Sequence, residues 1–392
     1  MTASKIEWTD RSDWNPVRGC TRVSPGCGGP GKHGGCYAEA MAARFSLPGM
    51  WGHTFAEMVD GQPRWTGKVE LQTDRLLMPL SWKKPAKVFP NSTSDFFHEA
   101  LSDDEITRLL AVMAMSSRLT FQVLTKRPER MREYFAHKDR INSINGAIWS
   151  LLGTPRGSKI EHGGNWRTHL PIPNVWLGTS VERQDEANPR IVDLLNTPAA
   201  IRFVSCEPLL GEVDLTRICV QPQRPGSIRA GIHVNALAGR YCESGVRYTG
   251  DWDISGPAPG PETPALKIDW VIAGGESGPR ARPMHPDWAR SLRDQCAAAG
   301  VPFFFKQWGE YLPVGQSLPG CGKVHGGTAV KPGRMKLHYG GTRMHAPKHA
   351  FAERGVKLAS TADGRLTFRV GKSHAGALLD GREHKAFPEV HV

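Results

Sequence analysis

Three cysteines crowd into one short stretch, Cys20, Cys27 and Cys36, spaced C-x6-C-x8-C. Gly19 to Gly35 carries seven glycines and two prolines, so it reads as loop. Glycines there let the backbone fold tightly and bring peptide N–H groups near sulfur. Thiolates at this density suit zinc or an iron–sulfur cluster. A structural zinc wants four protein ligands, and His33 can be the fourth. A [4Fe–4S] cluster held by Cys20, Cys27 and Cys36 alone keeps one iron open. An open iron that chelates the methionine moiety of S-adenosylmethionine (SAM) is what radical SAM chemistry requires. The lack of a C-x2-C pair weighs against zinc, and three loop cysteines are poor candidates for unliganded core thiols.

The other cysteines, 206, 219, 242, 296 and 321, are scattered along 392 residues. That is not the dense framework of a secreted disulfide protein, and reduced thiols in a cytoplasm are expected. No signal-peptide core or membrane-length apolar run is present, so no membrane partner is expected. The net charge is +12, and residues 312–392 contribute +8 of it with 13 Lys/Arg against 5 Asp/Glu. Such a surplus points to a polyanion, and nucleic acid is the commonest one.

The elements that must position the loop follow a repeating pattern. Tyr37 to Phe45 is helix-forming, and short apolar runs alternate with helical patterns after it. Ser102-Asp103-Asp104-Glu105 is a capping-box signature, with Ile106, Leu109, Leu110 and Met113 at helical spacing behind it. Strands are expected at Trp14–Val17, Lys87–Phe89, Leu119–Leu124, Val175–Leu177, Ile201–Val204, Trp270–Ala273 and Phe303–Phe305. Pro286 opens a last long helix that closes at Gly300. The alternation predicts an α/β fold, a partial (β/α) barrel of parallel strands. The strand ends are polar: Asp95, Lys126, Glu182, Glu207, Glu276 and Lys306. In barrels the site is assembled from the C-terminal ends of strands. The expected organisation is a cluster-binding segment over 1–50 and a barrel over 51–311. Stretches 135–173 and 216–266 read as insertions, and 312–392 as a basic cap or docking extension ending in a helix at Ala375–Leu379.

The runs WNPVRGCTRVSPGC and CYAEAMAARF resemble the start of a phage and prophage family of radical-SAM-like proteins known only as a domain of unknown function. The blocks NSTSDFFHE, FQVLTKRPERM, VWLGTSVE, SCEPLLG, DWVIAGGESGPRARPMHPDWARSLRDQC, GVPFFFKQWGEY and GKSHAGALLDGREHKAFP extend the resemblance over nearly the whole chain. GGPGKHGG enlarges the second cysteine spacing beyond the family's usual two residues. The family is similar to spore photoproduct lyase and other barrel radical enzymes. The resemblance implies a radical SAM barrel with its [4Fe–4S] loop after the first strand, and SAM as cosubstrate.

By chain order, Ser92 and Asp95 are then candidates for the SAM amino group, Lys126 and Arg127 for its carboxylate, and Ser180 and Glu182 for the ribose hydroxyls. Tyr37 is a candidate to stack near adenine. Glu207 and Glu276 are candidates to face substrate or adenine, and Cys206 to donate a hydrogen atom to a product radical. The expected activity is rearrangement of a modified nucleobase, foremost a glycyl-type hypermodified thymidine in phage DNA, with flavodoxin or ferredoxin as electron donor. Lesion repair of the photoproduct-lyase type is one alternative. A zinc-stabilised nucleic-acid-binding module is the other.

Overall fold

Short apolar runs bounded by glycine and polar residues make the strands of one parallel sheet, seen in a computed structural model. The structure describes residues 4, 6–28, 34–153, 167–221, 232–241, 266–313, 316, 357–360, 366–369 and 371–389. In chain order the first elements are β1 (Val17–Arg18), α1 (Tyr37–Arg44), the hairpin β2 (Ala56–Val59) and β3 (Gln62–Trp65), β4 (Glu70–Leu71) and α2 (Thr73–Leu76). Then come β5 (Ala86–Val88), α3 (Asp103–Met115), β6 (Leu119–Thr125), α4 (Pro128–Ala136), α5 (Arg140–Leu152), β7 (Val175–Ser180), α6 (Gln184–Leu195) and β8 (Arg202–Cys206). A small sheet, β9 (Ile218–Gln221), β10 (Ile232–Asn235) and β11 (Arg240–Tyr241), precedes β12 (Trp270–Gly274), α7 (Pro286–Ala299) and β13 (Phe303–Gln307). The last strands are β14 (Tyr311–Pro313), β15 (Lys357–Ser360) and β16 (Leu366–Arg369).

β5, β6, β7, β8, β12 and β13 lie side by side in that order, all parallel, in a six-stranded sheet curled into a half-barrel. Strand alternation then sorts the side chains. Phe121, Val123, Leu177, Val204, Val271, Ala273 and Phe305 join helix residues such as Ile106, Ile144, Ile191 and Leu292 in the main core. That face is the convex one. Their sequence neighbours Trp176, Phe203, Trp270, Ile272 and Phe304 join Trp8 and Phe89 in a second cluster without helix residues, which is the concave interior. Trp8 sits 4.7 Å from the Phe89 ring and 6.2 Å from Trp270. Emptying such a site costs about 3–5 kcal/mol.

The helices at Tyr37, Asp103 and Pro286 form where the sequence says they should. At α3, Ser102 Oγ accepts from the Glu105 N–H at 3.3 Å and the Glu105 carboxylate accepts from the Ser102 N–H at 2.8 Å, a complete capping box. Four expectations change. The expected Trp14–Val17 strand is split: Val17 pairs antiparallel with Leu71, while residues 10–14 run along β5, where the Phe89 N–H reaches Arg11 O at 2.8 Å. Residues 140–152 are not insertion but α5, which buries Ile144, Ile148 and Leu151 against α3. Their period of roughly 3.6 was obscured by Asn142, Asn145 and Gly146. Within 216–266, the described strands β9–β11 form a small antiparallel sheet that packs on α6 through β9. The terminal helix is Lys372–Ala375, ended by Gly376, rather than Ala375–Leu379.

The described end of the chain completes the barrel instead of projecting from it. Phe305 N–H donates to His384 O at 2.7 Å, Trp270 Nε1 to Ala386 O at 2.9 Å, and Phe387 packs 5.0 Å from the Trp270 ring. Residues 317–356, with seven of the Lys/Arg and one Glu, lie outside the described residues.

Candidate cofactor and active site

The cysteine loop leaves β1 at Gly19, whose φ of +84° and 1.9 Å virtual-Cβ approach to Lys68 O admit no other residue without displacement. It then crosses the C-terminal rim of the half-barrel and is tied to it by charged side chains from later strand ends. Ser24 Oγ donates to Glu182 Oε1 at 2.9 Å. Arg127 Nη2 donates to Thr21 Oγ1 at 2.7 Å. Arg282 Nη2 donates to Pro25 O at 3.0 Å, and the Gly35 N–H donates to Glu276 Oε1 at 3.2 Å. Gly26 leaves room for Glu182: a Cβ there would stand 2.1 Å from its Oε1.

This anchoring gathers the three cysteines. Cys20 Sγ has the Arg127 guanidinium 3.9 Å away and contacts Thr21 O at 3.4 Å. Burial pushes the Cys20 thiol well up, Asp95, Cys36 and Cys27 push the same way, and Arg127 opposes them. Cys36 is the N-cap of α1. Burial pushes it up to about 11, with the helix-start amides of Glu39 and Ala38 pulling back. Cys27 is buried, with Ser24 Oγ at 3.9 Å. The three thiols stand near enough to act on one another's ionisation. Among the described residues no three Cys, His, Asp or Glu side chains meet at ligating distance. His33 lies outside the described residues. Soft sulfur donors, a local cation and helix-start amides fit a thiolate-bound metal group, whose binding displaces the thiol protons.

A buried ionic frame surrounds the loop. Asp95 accepts four hydrogen bonds: from Phe97 N at 3.0 Å, Thr125 Oγ1 at 2.6 Å, Lys126 N at 3.0 Å and Arg127 Nη1 at 3.1 Å. Arg127 Nε also donates to both Glu99 oxygens at 2.8 Å. His98 accepts from Ala100 N on Nδ1 at 3.1 Å, which leaves Nε2–H to reach Thr21 Oγ1 at 2.9 Å. Burial, then Arg127, lowers the His98 pKa. Glu182 is fully buried and pairs with Lys126 and with Arg190 Nη1 at 3.1 Å. Burial works to raise its pKa, but Lys126 and Arg190 outweigh it and the net shift is downward.

The predicted residues therefore divide. Tyr37, half-exposed, hydrogen-bonds Ser92 O, and Ser92 Oγ donates to Asn15 Oδ1 at 3.1 Å. Arg127 and Glu182 hold the loop, and Asp95 holds Arg127. Glu276, expected beside substrate or adenine, is engaged by Arg282 through Nε at 2.8 Å and Nη2 at 2.9 Å and clamps the loop. Ser180 is buried, and its carbonyl accepts from Arg190 at 2.7 Å. Glu207 lies on the concave side of its strand end: Lys306 Nζ meets its Oε1 at 3.0 Å and Ser205 Oγ its Oε2 at 3.3 Å. Cys206 is out of phase with Ser205 and Glu207. It is fully buried in the helix-side core with Cys296, and burial raises its thiol pKa strongly, so it is removed from the mouth. Arg282, His98 and Glu99 are additions. Arg282 sat visibly in SGPRARP, but only the folded loop shows that it reaches Pro25.

One family model, described as protein of unknown function (DUF5131), matches residues 3–388. The chain belongs to this family. No curated protein and no solved structure matches it. In this DUF5131 chain the N-terminal cysteine loop and the ends of β6, β7 and β12 form one rim, because Arg127, Glu182 and Glu276 each reach into the loop. Small residues at the concave strand ends, Gly178, Ser180, Ser205 and Gly274, contrast with the aromatics lower down. The rim can hold a thiolate-bound group over a polar interior that carries the Glu207–Lys306 pair.

Proposed function

We propose that the protein is a radical SAM enzyme in which Cys20, Cys27 and Cys36 hold a [4Fe–4S] cluster. The observation that carries this reading is that Cys20, Cys27 and Cys36 lie on one loop tied to the C-terminal rim of a parallel half-barrel, near enough to act on one another's ionisation. Bound there and reduced, such a cluster supplies the electron that splits SAM into methionine and a 5′-deoxyadenosyl radical.

The chain's own residues do the rest. Arg127 sets a positive charge beside Cys20, and Asp95 and Glu99 keep that charge in place. Lys126 is assigned to SAM's carboxylate and Ser180 to its ribose, whereas Glu182, with no exposed surface and both oxygens engaged, positions Lys126 and the loop. The saturated Asp95 serves as a positioning residue. The concave aromatics Trp8, Phe203 and Trp270 exclude water beneath the site. Glu207 and Lys306, paired at 3.0 Å, are assigned to proton transfer with the substrate. The substrate is a nucleobase, a modified thymidine foremost, which must leave the duplex to reach a recessed site. The basic sequence of residues 317–356 supports a polyanionic partner.

The test is product analysis. Anaerobically reconstituted protein with dithionite and SAM should release 5′-deoxyadenosine, faster when DNA carrying the modified thymidine is added. No 5′-deoxyadenosine under either condition rejects the reading.

A further inference from the structure

A cavity of about 430 Å³ lies between β13, the one-turn helix Lys372–Ala375 and the N-terminal segment, lined by Glu7, Gln307, Lys372, Ser373, Gly376 and Ala377. Its position is set by the two edges of the half-barrel. The segment that continues from Glu7 runs along β5, at one edge of the sheet, and Gln307 ends β13, at the other. Lys385 bridges them, pairing with Glu7 and donating to Phe305 O at 3.0 Å. The cavity thus sits at the seam where residues 371–389 bridge the two edges of the half-barrel.

Its charges do not cancel. The charges of Lys306, Glu7, Glu207 and Glu310 all act on Lys372. Each of those carboxylates already has its own cation: Glu7 has Lys385, Glu207 has Lys306 at 3.0 Å, and Glu310 has Arg369 at 3.8 Å. Among the described residues Lys372 has no ion-pair partner, so the wall carries one surplus ammonium. Gln307 is nine-tenths buried, and among the described residues its side-chain carbonyl oxygen has no hydrogen-bond partner. A buried amide oxygen left unmade costs about 1–3 kcal/mol, which a ligand N–H or O–H recovers when the side chain turns into the cavity.

We propose that this cavity is a nucleotide subsite: Lys372 pairs with a phosphate of a single nucleic-acid strand, and the Gln307 amide hydrogen-bonds the nucleoside. The volume lies in the range of small-molecule pockets. A phosphate supplies the missing negative charge, and a pyrimidine ring supplies both donor and acceptor to an amide. This rests on the nucleobase reading above and extends it, placing the strand at the seam of the half-barrel near the Glu207–Lys306 pair.

Binding of thymidine, thymidine 5′-monophosphate and single-stranded oligothymidylate to the full chain tests it. Lys372→Ala should weaken the phosphate-bearing ligands at least about fivefold, as loss of a charge-assisted contact does, and leave thymidine unchanged. It should also lower the salt slope for oligothymidylate by about one. Gln307→Leu should weaken all three; Lys372 is exposed, so its variant decides the matter if the Gln307 variant does not fold. Unchanged oligothymidylate affinity in Lys372→Ala overturns the proposal, as does an effect confined to the monophosphate, which would assign the cavity to a free nucleotide. SAM cleavage measured in parallel separates the two readings. Strand binding that depends on Lys372 without 5′-deoxyadenosine keeps the subsite and rejects the radical enzyme. The reverse pattern keeps the enzyme and rejects the subsite.

Discussion

Glu182 has no exposed surface, so its charge is tolerable only because Lys126 and Arg190 flank it and Ser24 donates to it. Removing one side of a buried ionic set costs about 3–5 kcal/mol, because the remaining charges stay desolvated. Glu182→Ala should therefore lose roughly that much in urea unfolding and release the Ser24 end of the cysteine loop. A loss below about 1 kcal/mol would show that the set is solvated. The sign with pH follows from the lowered pKa: the contribution is full above the unfolded value near 4.3 and falls as acid protonates the folded carboxylate. At this scale much was readable in the sequence. Arg127 and Glu182 were legible because polar residues just past strand runs fall on the rim. Strand parity turns Cys206 away from the mouth: Ser205 and Glu207 share the concave face, and the residue between them cannot. Glu276 stands at a strand end on the rim, but its partner Arg282 is hidden in a loop without periodicity.

Among elements, the clearest device is the clasp between the chain's end and α7. Asp380 accepts from Arg290 Nη2 at 2.6 Å, Arg293 Nη1 at 2.8 Å and Gln316 Nε2 at 2.9 Å. The Arg290 hydrogen bond, together with Gln316 and Arg293, holds its carboxyl well below the usual carboxylate range, against a desolvation cost. A depressed pKa gives stability that is present above the unfolded value near 3.9 and lost as pH falls through the folded one. Asp380→Asn should abolish that acid-dependent part, read as a flatter tryptophan-fluorescence titration below pH 4, since Trp270 and Trp308 both bond to the terminal segment. An unchanged titration would place the acid response elsewhere. The sheet was the legible element, because apolar runs ending in polar residues repeat along the chain. α5 was not, since Asn and Gly interrupt its stripe. The terminal segment's pairing with β13 is a contact between distant parts of the sequence, which no local pattern encodes.

For the whole molecule, a curled sheet brings a loop near residue 20 against strand ends near residues 127, 182 and 276. The same closure joins the N-terminal segment to residues 371–389 through Lys385 and Glu7. The fold class was visible from the alternation of strands and helices, whereas the closing of the barrel by its own terminus was not. The basic surplus makes a separate prediction from sequence alone. DNA binding should weaken steeply with salt, and charge reversal at Lys331, Arg334 and Lys336, outside the described residues, should weaken it further. Unchanged affinity would remove that stretch as the docking surface.

The central claim, three thiolates holding a cluster with one open iron, is tested most directly by metal and sulfide analysis of anaerobically prepared protein. About four irons and four sulfides per chain are expected, as a [4Fe–4S] cluster requires, lost on replacing Cys20, Cys27 or Cys36 by alanine and kept in His33→Ala. One stoichiometric zinc, without sulfide and lost in His33→Ala, would contradict it.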